Sequence, residues 1–341
     1  MNVAIVGCGW IAQEHLKIWR KLSGISVIAV CDLNEKAAIR TARAWKIPNY
    51  YTDLEKMLNL HEVAIVDICT PPQTHHNLIV KALELSCNVL VEKPMAISSK
   101  EAEEVIIAQR KSGKKVGVIH NWLFEPVMIK ALSMKRNGRL GQILSAHVHI
   151  LQTRKDPMLA TKTHWCHSLP GGRFGEVLPH PTYILQSLIG HLVVKSVMAR
   201  KVGSYSWVPY DELHVTLEGE EGFGSIYLSF NAPKYAIFVD IYGTKGMVRV
   251  NLVEQTILEV KRKSIRRLSK AIESLRQAYQ LVASIARSAI LVAFHQWRSG
   301  HEAYIRAFVD SVIHDKEPPV SLEEAYENVR IVEEICNAIN Y

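Results

Sequence analysis

The chain has 341 residues, long for a single core and suited to two domains. Apolar residues make up 48% and charged residues 22%, a globular balance that excludes a disordered or fibrous protein. The net charge is +8, but nine Lys or Arg against one Glu lie between Lys261 and Arg298, and the rest carries 32 basic and 32 acidic residues. A basic excess so confined, without a recognisable binding motif, argues against a nucleic-acid partner.

The first residues run straight into an apolar strand, without the basic start or small-residue cleavage site of a secretory leader. The six cysteines are scattered and form no CxxC pair. Together these predict a reduced, cytoplasmic protein. Apolar runs at Val3–Val6, Val27–Cys31, Ala64–Cys69, Asn88–Val91 and Val116–Ile119 read as buried parallel strands. Helical patterns at Ile11–Leu22, Glu35–Trp45, His75–Leu85 and Ser99–Lys111 separate them. The alternation predicts βαβ crossovers and a doubly wound parallel sheet of Rossmann type over residues 1–122, with ligands at the carboxyl ends of its strands.

Gly7-Cys8-Gly9-Trp10-Ile11-Ala12 follows the first strand and opens a helix. Gly7 allows a tight turn, Gly9 lets a pyrophosphate approach the backbone, and the helix N-terminus at Trp10 and Ile11 offers N–H groups and a favourable dipole. Asp32, at the end of the second strand, suits the ribose hydroxyls and repels a 2′-phosphate, which favours NAD over NADP; Lys36 and Arg40 lie a turn or two further on. Glu92-Lys93-Pro94 ends a central strand where the nicotinamide should lie. Lys93 there suits polarising a substrate oxygen or donating a proton, and on spacing alone a surface lysine paired with Glu92 fits equally.

From about Gly141 the pattern changes to alternating strands at Ile143–Leu151, Leu213–Glu218, Gly224–Phe230, Ile237–Tyr242, Met247–Asn251 and Thr256–Val260. They predict an α+β domain over 123–341 with an open, mostly antiparallel sheet, making the whole chain α/β in class. His164-Trp165-Cys166-His167 holds metal-ligand types but lacks a clear fourth donor, so a loop that offers Trp165 to a sugar ring is preferred and no metal is expected. Within a basic insertion at about 262–298, Ile265, Leu268, Ile272, Leu275, Tyr279, Val282, Ala286, Ala289, Ala293 and Trp297 fall at helical spacing. This amphipathic helix over 264–297 has two readings: packing on the body or a second subunit, which is preferred, and peripheral contact with the anionic inner face of a membrane.

The set Gly7–Ala12, Asp32, Thr70-Pro71-Pro72 with His75, Glu92-Lys93-Pro94 and His120-Asn121-Trp122 resembles the Gfo/Idh/MocA family (glucose–fructose oxidoreductase, inositol dehydrogenase, rhizopine catabolism). The resemblance implies a cofactor set of Gly7, Gly9, Trp10, Ile11, Asp32, Thr70, Pro71, His75, Glu92, Lys93 and Asn121. It also implies that Lys93 and a later His flank the substrate hydroxyl. His180 falls on that His and Glu176 on the family's Asp, four residues before it, a spacing that puts both on one helix face. Leu178 stands where the family has Gly, and Pro179 and Pro181 bracket His180 and disfavour regular helix around it: either the turn is irregular or a helix begins only at Pro181, and Glu176 and His180 then need not share a face. Trp122, Trp165 and Arg173 make up the expected substrate-binding set. The implied function is NAD-dependent interconversion of a hydroxyl and a ketone on a sugar, nucleotide sugar, cyclitol or lipid-linked saccharide. The alternatives are an enzyme that cycles bound NAD for epimerisation or bond cleavage, and a non-enzymatic NAD-dependent regulator. A homo-oligomer through the outer face of the second sheet is expected by the same analogy.

Overall fold

The computed structural model describes residues 1–261, 267–293 and 298–339. In chain order the elements begin β1 (Asn2–Val6), α1 (Trp10–Trp19), β2 (Ser26–Cys31), α2 (Glu35–Trp45), β3 (Asn49–Tyr51), α3 (Leu54–Leu60), β4 (Ile65–Ile68), α4 (His75–Glu84), β5 (Asn88–Val91), α5 (Ser99–Ser112) and β6 (Val116–Val118). There follow α6 (Pro126–Arg136), β7 (Ile143–Leu151), α7 (Pro157–Ala160), α8 (Arg173–Val177), α9 (Pro179–Ile189), β8 (Leu192–Arg200), β9 (Glu212–Gly219) and β10 (Phe223–Ser229). The last are β11 (Ala236–Gly243), β12 (Gly246–Asn251), β13 (Thr256–Lys261), α10 (Arg267–Ala293), α11 (Gly300–Ile313) and α12 (Leu322–Ile339).

The chain forms two compact units, Met1–Asn121 with His301–Arg330, and Trp122–Gly300 with Ile331–Tyr341. Residues His301–Arg330 thus belong with Met1–Asn121 in the first unit. In that unit six parallel strands run in the order β3-β2-β1-β4-β5-β6. The order reverses direction between β1 and β4, so the crevice at their carboxyl ends is the ligand position of this fold. The strands are apolar on both faces because helices cover both, and α12 adds Leu322, Ala325 and Val329 to the core. Gly117 on β6 lies against the Phe308 ring, where an added Cβ would stand 2.4 Å from it.

Local chemistry sets the helix starts. Asn34 caps α2 by accepting the Ala37 N–H, Asp53 caps α3 at Lys56 and Ser98 caps α5 at Glu101. The cap of α1 is Gly9, which has no side chain to satisfy the N–H groups of the first turn.

The second unit carries a seven-stranded sheet in the order β13-β12-β11-β7-β10-β9-β8. All its pairings are antiparallel except that of β7 with β10. Ala146, Val148 and Ile150 of β7 point to the core shared with Tyr183, Leu185 and Leu188 of α9. The alternating residues His147 and His149 lie on the opposite face, half-buried, with Tyr227 beside His149. Leu192–Arg200 forms an edge strand that the sequence reading did not identify.

Candidate active site

The first unit gathers most of the expected cofactor residues at the β1/β4 crevice. Gly7 has φ +91, and its N–H donates to Cys31 O at 2.8 Å. A Cβ there would stand 2.8 Å from the Cys69 carbonyl, so only glycine fits. Gly9 differs: nothing lies within 4 Å of an added Cβ, which leaves open space in front of the first turn of α1. Asp32 accepts the Cys8 N–H at 2.7 Å and the Asn34 N–H at 2.8 Å, so its carboxylate is held against the glycine turn. Trp10, 76% exposed, and Leu33, 91% exposed, leave apolar surface on these same two segments. An uncapped helix start, open space at Gly9 and a fixed carboxylate fit a dinucleotide, with the pyrophosphate on the turn and the ribose on Asp32.

After β4, the Thr74 hydroxyl donates to Thr70 Oγ1 at 2.7 Å and to Pro71 O at 2.9 Å. His75 is wholly buried, with Nδ1 2.7 Å from Pro94 O and Nε2 2.8 Å from Thr70 O. Burial pushes its pKa below the ordinary imidazole value, against the pull of the two carbonyls. The ring ties the Thr70–Pro71 turn to the segment after Lys93. The Lys93–Pro94 peptide is cis, and Lys93 is half-buried beyond the end of β5.

Beneath Lys93 lies a charge network that the sequence reading missed. His15 of α1 places Nδ1 2.9 Å from Asp67 and Nε2 3.1 Å from Glu92, all three buried. Both ring nitrogens face carboxylates, so both must donate, and the ring is an imidazolium. Burial is the largest effect and would lower its pKa, but the charge and hydrogen bond of Asp67 together with Cys69 outweigh it and hold His15 well above its ordinary value. Trp19 Nε1 donates to Asp67 at 2.6 Å. His301 Nε2 reaches Glu92 at 3.2 Å, and Asn121 Nδ2 meets His301 Nδ1 at 3.4 Å. Burial would raise the Glu92 carboxyl, but the His15 and His301 bonds hold it well below the usual carboxylate range.

Two ligand-type sets converge here among the described residues, His15–Asp67–Cys69 and His15–Glu92–His301. Their donors satisfy one another by hydrogen bonding: the Cys69 thiol, its pKa pushed up to about 12 by burial, lies 3.3 Å from His15 and 3.6 Å from Asp67. No local pattern announces this network, since its members come from positions 15, 19, 67, 92, 121 and 301.

The second unit places its expected residues around the start of α9. Helix α8 ends at Val177 and α9 begins at Pro179, so His180 sits in a first turn rather than before a helix that starts at Pro181. Pro179 occupies a position whose N–H needs no intrahelical partner, which is why the bracketing prolines are tolerated. His180 Nδ1 lies 2.7 Å from the Tyr183 hydroxyl, which also accepts the Trp122 N–H at 3.1 Å. The Trp122 and His180 rings stack at 4.0 Å and 12°. The Tyr183 hydroxyl engages His180 at Nδ1. Arg173, 6% exposed, donates from Nε to Asp156 at 2.9 Å and from Nη1 to Glu176, with its guanidinium 5.4 Å from the Phe230 ring centre. It locks Asp156, the cap of α7, to α8. Trp165 lies in a short 3₁₀ turn beside His164, with ring centres 5.1 Å apart. In the same turn His164 Nδ1 accepts the Cys166 N–H at 3.3 Å and Cys166 Sγ meets Met158 O at 3.4 Å, so these residues serve the turn itself.

The parallel sheet order, the glycine turn and Asp32 define an NAD-binding oxidoreductase fold. Residues 1–120 match the oxidoreductase family's NAD-binding Rossmann fold, and residues 134–340 match its C-terminal alpha/beta domain. The chain belongs to the Gfo/Idh/MocA oxidoreductase family. It is 29% identical over 198 residues to Oxidoreductase P35 of Formosa agariphila, covering 56% of this chain and 61% of that protein. D-apiose dehydrogenase of Paraburkholderia graminis is 27% identical over 138 residues, 40% of this chain and 37% of its own length. Inositol 2-dehydrogenase of Salmonella typhimurium is 26% identical over 262 residues, 74% of each chain. The chain thus spans less than two thirds of the first two relatives. Among solved structures, the WlbA dehydrogenase of Bordetella pertussis in complex with NADH and UDP-GlcNAcA shares the fold with a TM-score of 0.81 at 18% identity, over 100% of this chain and 95% of the other.

Proposed function

We propose that the protein is an NAD-dependent dehydrogenase that interconverts a hydroxyl and a ketone on a sugar-like ring. Lys93, held at the end of β5 with Glu92 fixed beneath it, is the observation that carries the reading. Gly7, Gly9, Trp10, Ile11, Asp32 and the Thr70–Pro71 turn would hold the dinucleotide, whose nicotinamide supplies the hydride acceptor or donor when bound. In the oxidising direction the C–H bond gives up its electron pair as hydride and the hydroxyl loses its proton. On the family resemblance, Lys93 would bind the developing oxyanion and His180 would take the proton; the Tyr183 contact and Trp122 stacking fix the plane of the His180 ring. Glu176 serves through Arg173 in holding the turn before α9. Family relatives named for inositol and apiose, and a fold neighbour bound to a nucleotide sugar, support a polyol, sugar or nucleotide-sugar substrate. The outer face of the second sheet, with His147 and His149, suits assembly of a cytoplasmic homo-oligomer.

NADH fluorescence turnover against a panel of polyols, sugars and nucleotide sugars tests the reading. Wild type is expected to turn over at least one class, and Lys93→Ala to lose roughly 100-fold or more in kcat with NADH affinity within a few-fold. Lys93→Ala turning over as fast as wild type refutes the mechanism. NADH binding without turnover across the panel favours a regulator, and isomerised product without net NADH change favours bound-cofactor cycling.

A further inference from the structure

Helix α10 packs with its polar side inward. It runs 27 residues from Arg267 to Ala293, about 40 Å, along β13, an edge strand of the second sheet. Gln280 presents its side-chain amide to that edge as another strand would: its Oε1 accepts the Glu259 N–H at 2.8 Å and its Nε2 donates to Glu259 O at 3.0 Å. Glu273 is buried on the same side, and Arg276 reaches Glu259 at 3.7 Å and Glu273 at 3.8 Å. Ser284, one turn on from Gln280, continues this half-buried face.

The face turned away from β13 is the apolar stripe. Ile272, Leu275, Tyr279 and Val282 are 50% to 74% exposed, and Ile285 and Ile290 continue the exposure along the helix. Lys270 and Arg287 are exposed, and the surrounding segment Lys261–Arg298 holds nine basic residues against one acidic. Ile265, Arg266, Phe294 and Trp297, which the sequence pattern adds to this helix, lie outside the described residues. An uncovered apolar strip of this length needs a cover. A second copy would set one strongly basic segment against another, whereas an anionic surface complements the charge and the apolar strip together. Among the described residues no helix is long and apolar enough to cross a membrane, so the geometry is that of a helix lying in the interface.

We infer that α10 docks the protein on an anionic lipid bilayer, with Leu275, Tyr279 and Val282 entering the interface and the flanking basic residues meeting the headgroups. Flotation of the full chain with phosphatidylcholine vesicles, with and without phosphatidylglycerol, tests this. Binding is expected to be roughly tenfold or more tighter to the anionic vesicles and to weaken as salt is raised. Leu275→Glu with Val282→Glu is expected to abolish it, and Lys270→Glu with Arg287→Glu to weaken it by roughly tenfold. NADH affinity should be unchanged in both variants, showing that the fold is intact. Wild type that fails to float with anionic vesicles overturns the proposal. So does equal binding to neutral and anionic vesicles. Sedimentation showing a dimer that Leu275→Glu and Val282→Glu dissociate, without vesicle binding by wild type, assigns the strip to a second copy instead.

Discussion

Replacing His15 with Gln removes the one cation between two buried carboxylates. Asp67 is wholly buried and Glu92 8% exposed, so solvent cannot take over the role of the imidazolium. Gln keeps a hydrogen-bond donor but no charge, and the bonds at 2.9 Å to Asp67 and 3.1 Å to Glu92 lose their charge assistance on the donor side. Breaking a buried ion pair from one side costs about 3–5 kcal/mol. For the first unit, roughly 150 residues, that corresponds to a fall in Tm of roughly 6–20 °C. Urea and thermal unfolding followed by far-ultraviolet circular dichroism would measure it, and a double-mutant cycle with Asp67→Asn isolates the coupling. In the His15→Gln background Asp67→Asn should cost at least about 1 kcal/mol less than in wild type, because the carboxylate it removes has lost its partner. Additive losses, or a His15→Gln deficit under about 0.5 kcal/mol, would refute the charged-network reading.

The two turn glycines should separate folding from binding. Gly9→Ala meets nothing within 4 Å and should leave Tm unchanged while weakening NADH by roughly tenfold or more, since its Cβ fills the pyrophosphate approach; wild-type affinity would remove the phosphate from that turn. Gly7→Ala, at φ +91 and 2.8 Å from the Cys69 backbone, should lower stability by about 2 kcal/mol or more with or without ligand, measured by urea midpoint. His120 provides a pH test: burial lowers its pKa from 6.5 to about 3, so the folded state keeps it neutral while the unfolded chain protonates it. Its contribution is present above about pH 6.5 and is lost as pH falls toward about 3, so His120→Gln should flatten the stability profile by about 1.1 kcal/mol per pH unit on average between pH 6.5 and 5; parallel profiles would contradict this.

Features set by neighbours in sequence were legible. Gly7, Gly9 and Asp32 lie within one βαβ unit, and their roles follow from chain geometry that any such unit shares. The three-residue strand β3 is too short for periodicity to register, and β8 lies at the sheet edge with outward residues exposed, which erases the apolar alternation of a buried strand. Helix α10 shows a different limit. Spacing located its apolar stripe, and the preferred reading packed that stripe on the protein or a second subunit. Against the body of the protein, the structure packs Glu273, Arg276 and Gln280 on the sheet edge and leaves the apolar stripe outward, because an edge strand offers backbone N–H and C=O groups that an amide satisfies and a leucine cannot. A periodic pattern identifies a face, and the chemistry of the opposing surface decides which face is used.

The network under Lys93 was illegible for a related reason. Asp67 in a central strand is costly unless a cation meets it, and in sequence it is one acidic residue among apolar ones. Its partner His15 occupies an inward position of α1, where a histidine reads as an ordinary amphipathic residue; Glu92 comes from β5, and His301 arrives only because 301–330 returns to the first unit. The bonds join the cofactor helix α1, strands β4 and β5, and α11. An apolar cluster would fill the same volume at less desolvation cost, but it would leave these elements free to slide past one another by fractions of a turn. Directional bonds at 2.6–3.2 Å to Asp67 and Glu92 fix the end of β5 relative to the helix that would receive the phosphates. The backbone of Lys93 begins at that fixed end, so its distance from a dinucleotide on α1 is set by the charge network. His15→Gln should therefore lower kcat more than it weakens NADH, a split that lost stability alone would not produce.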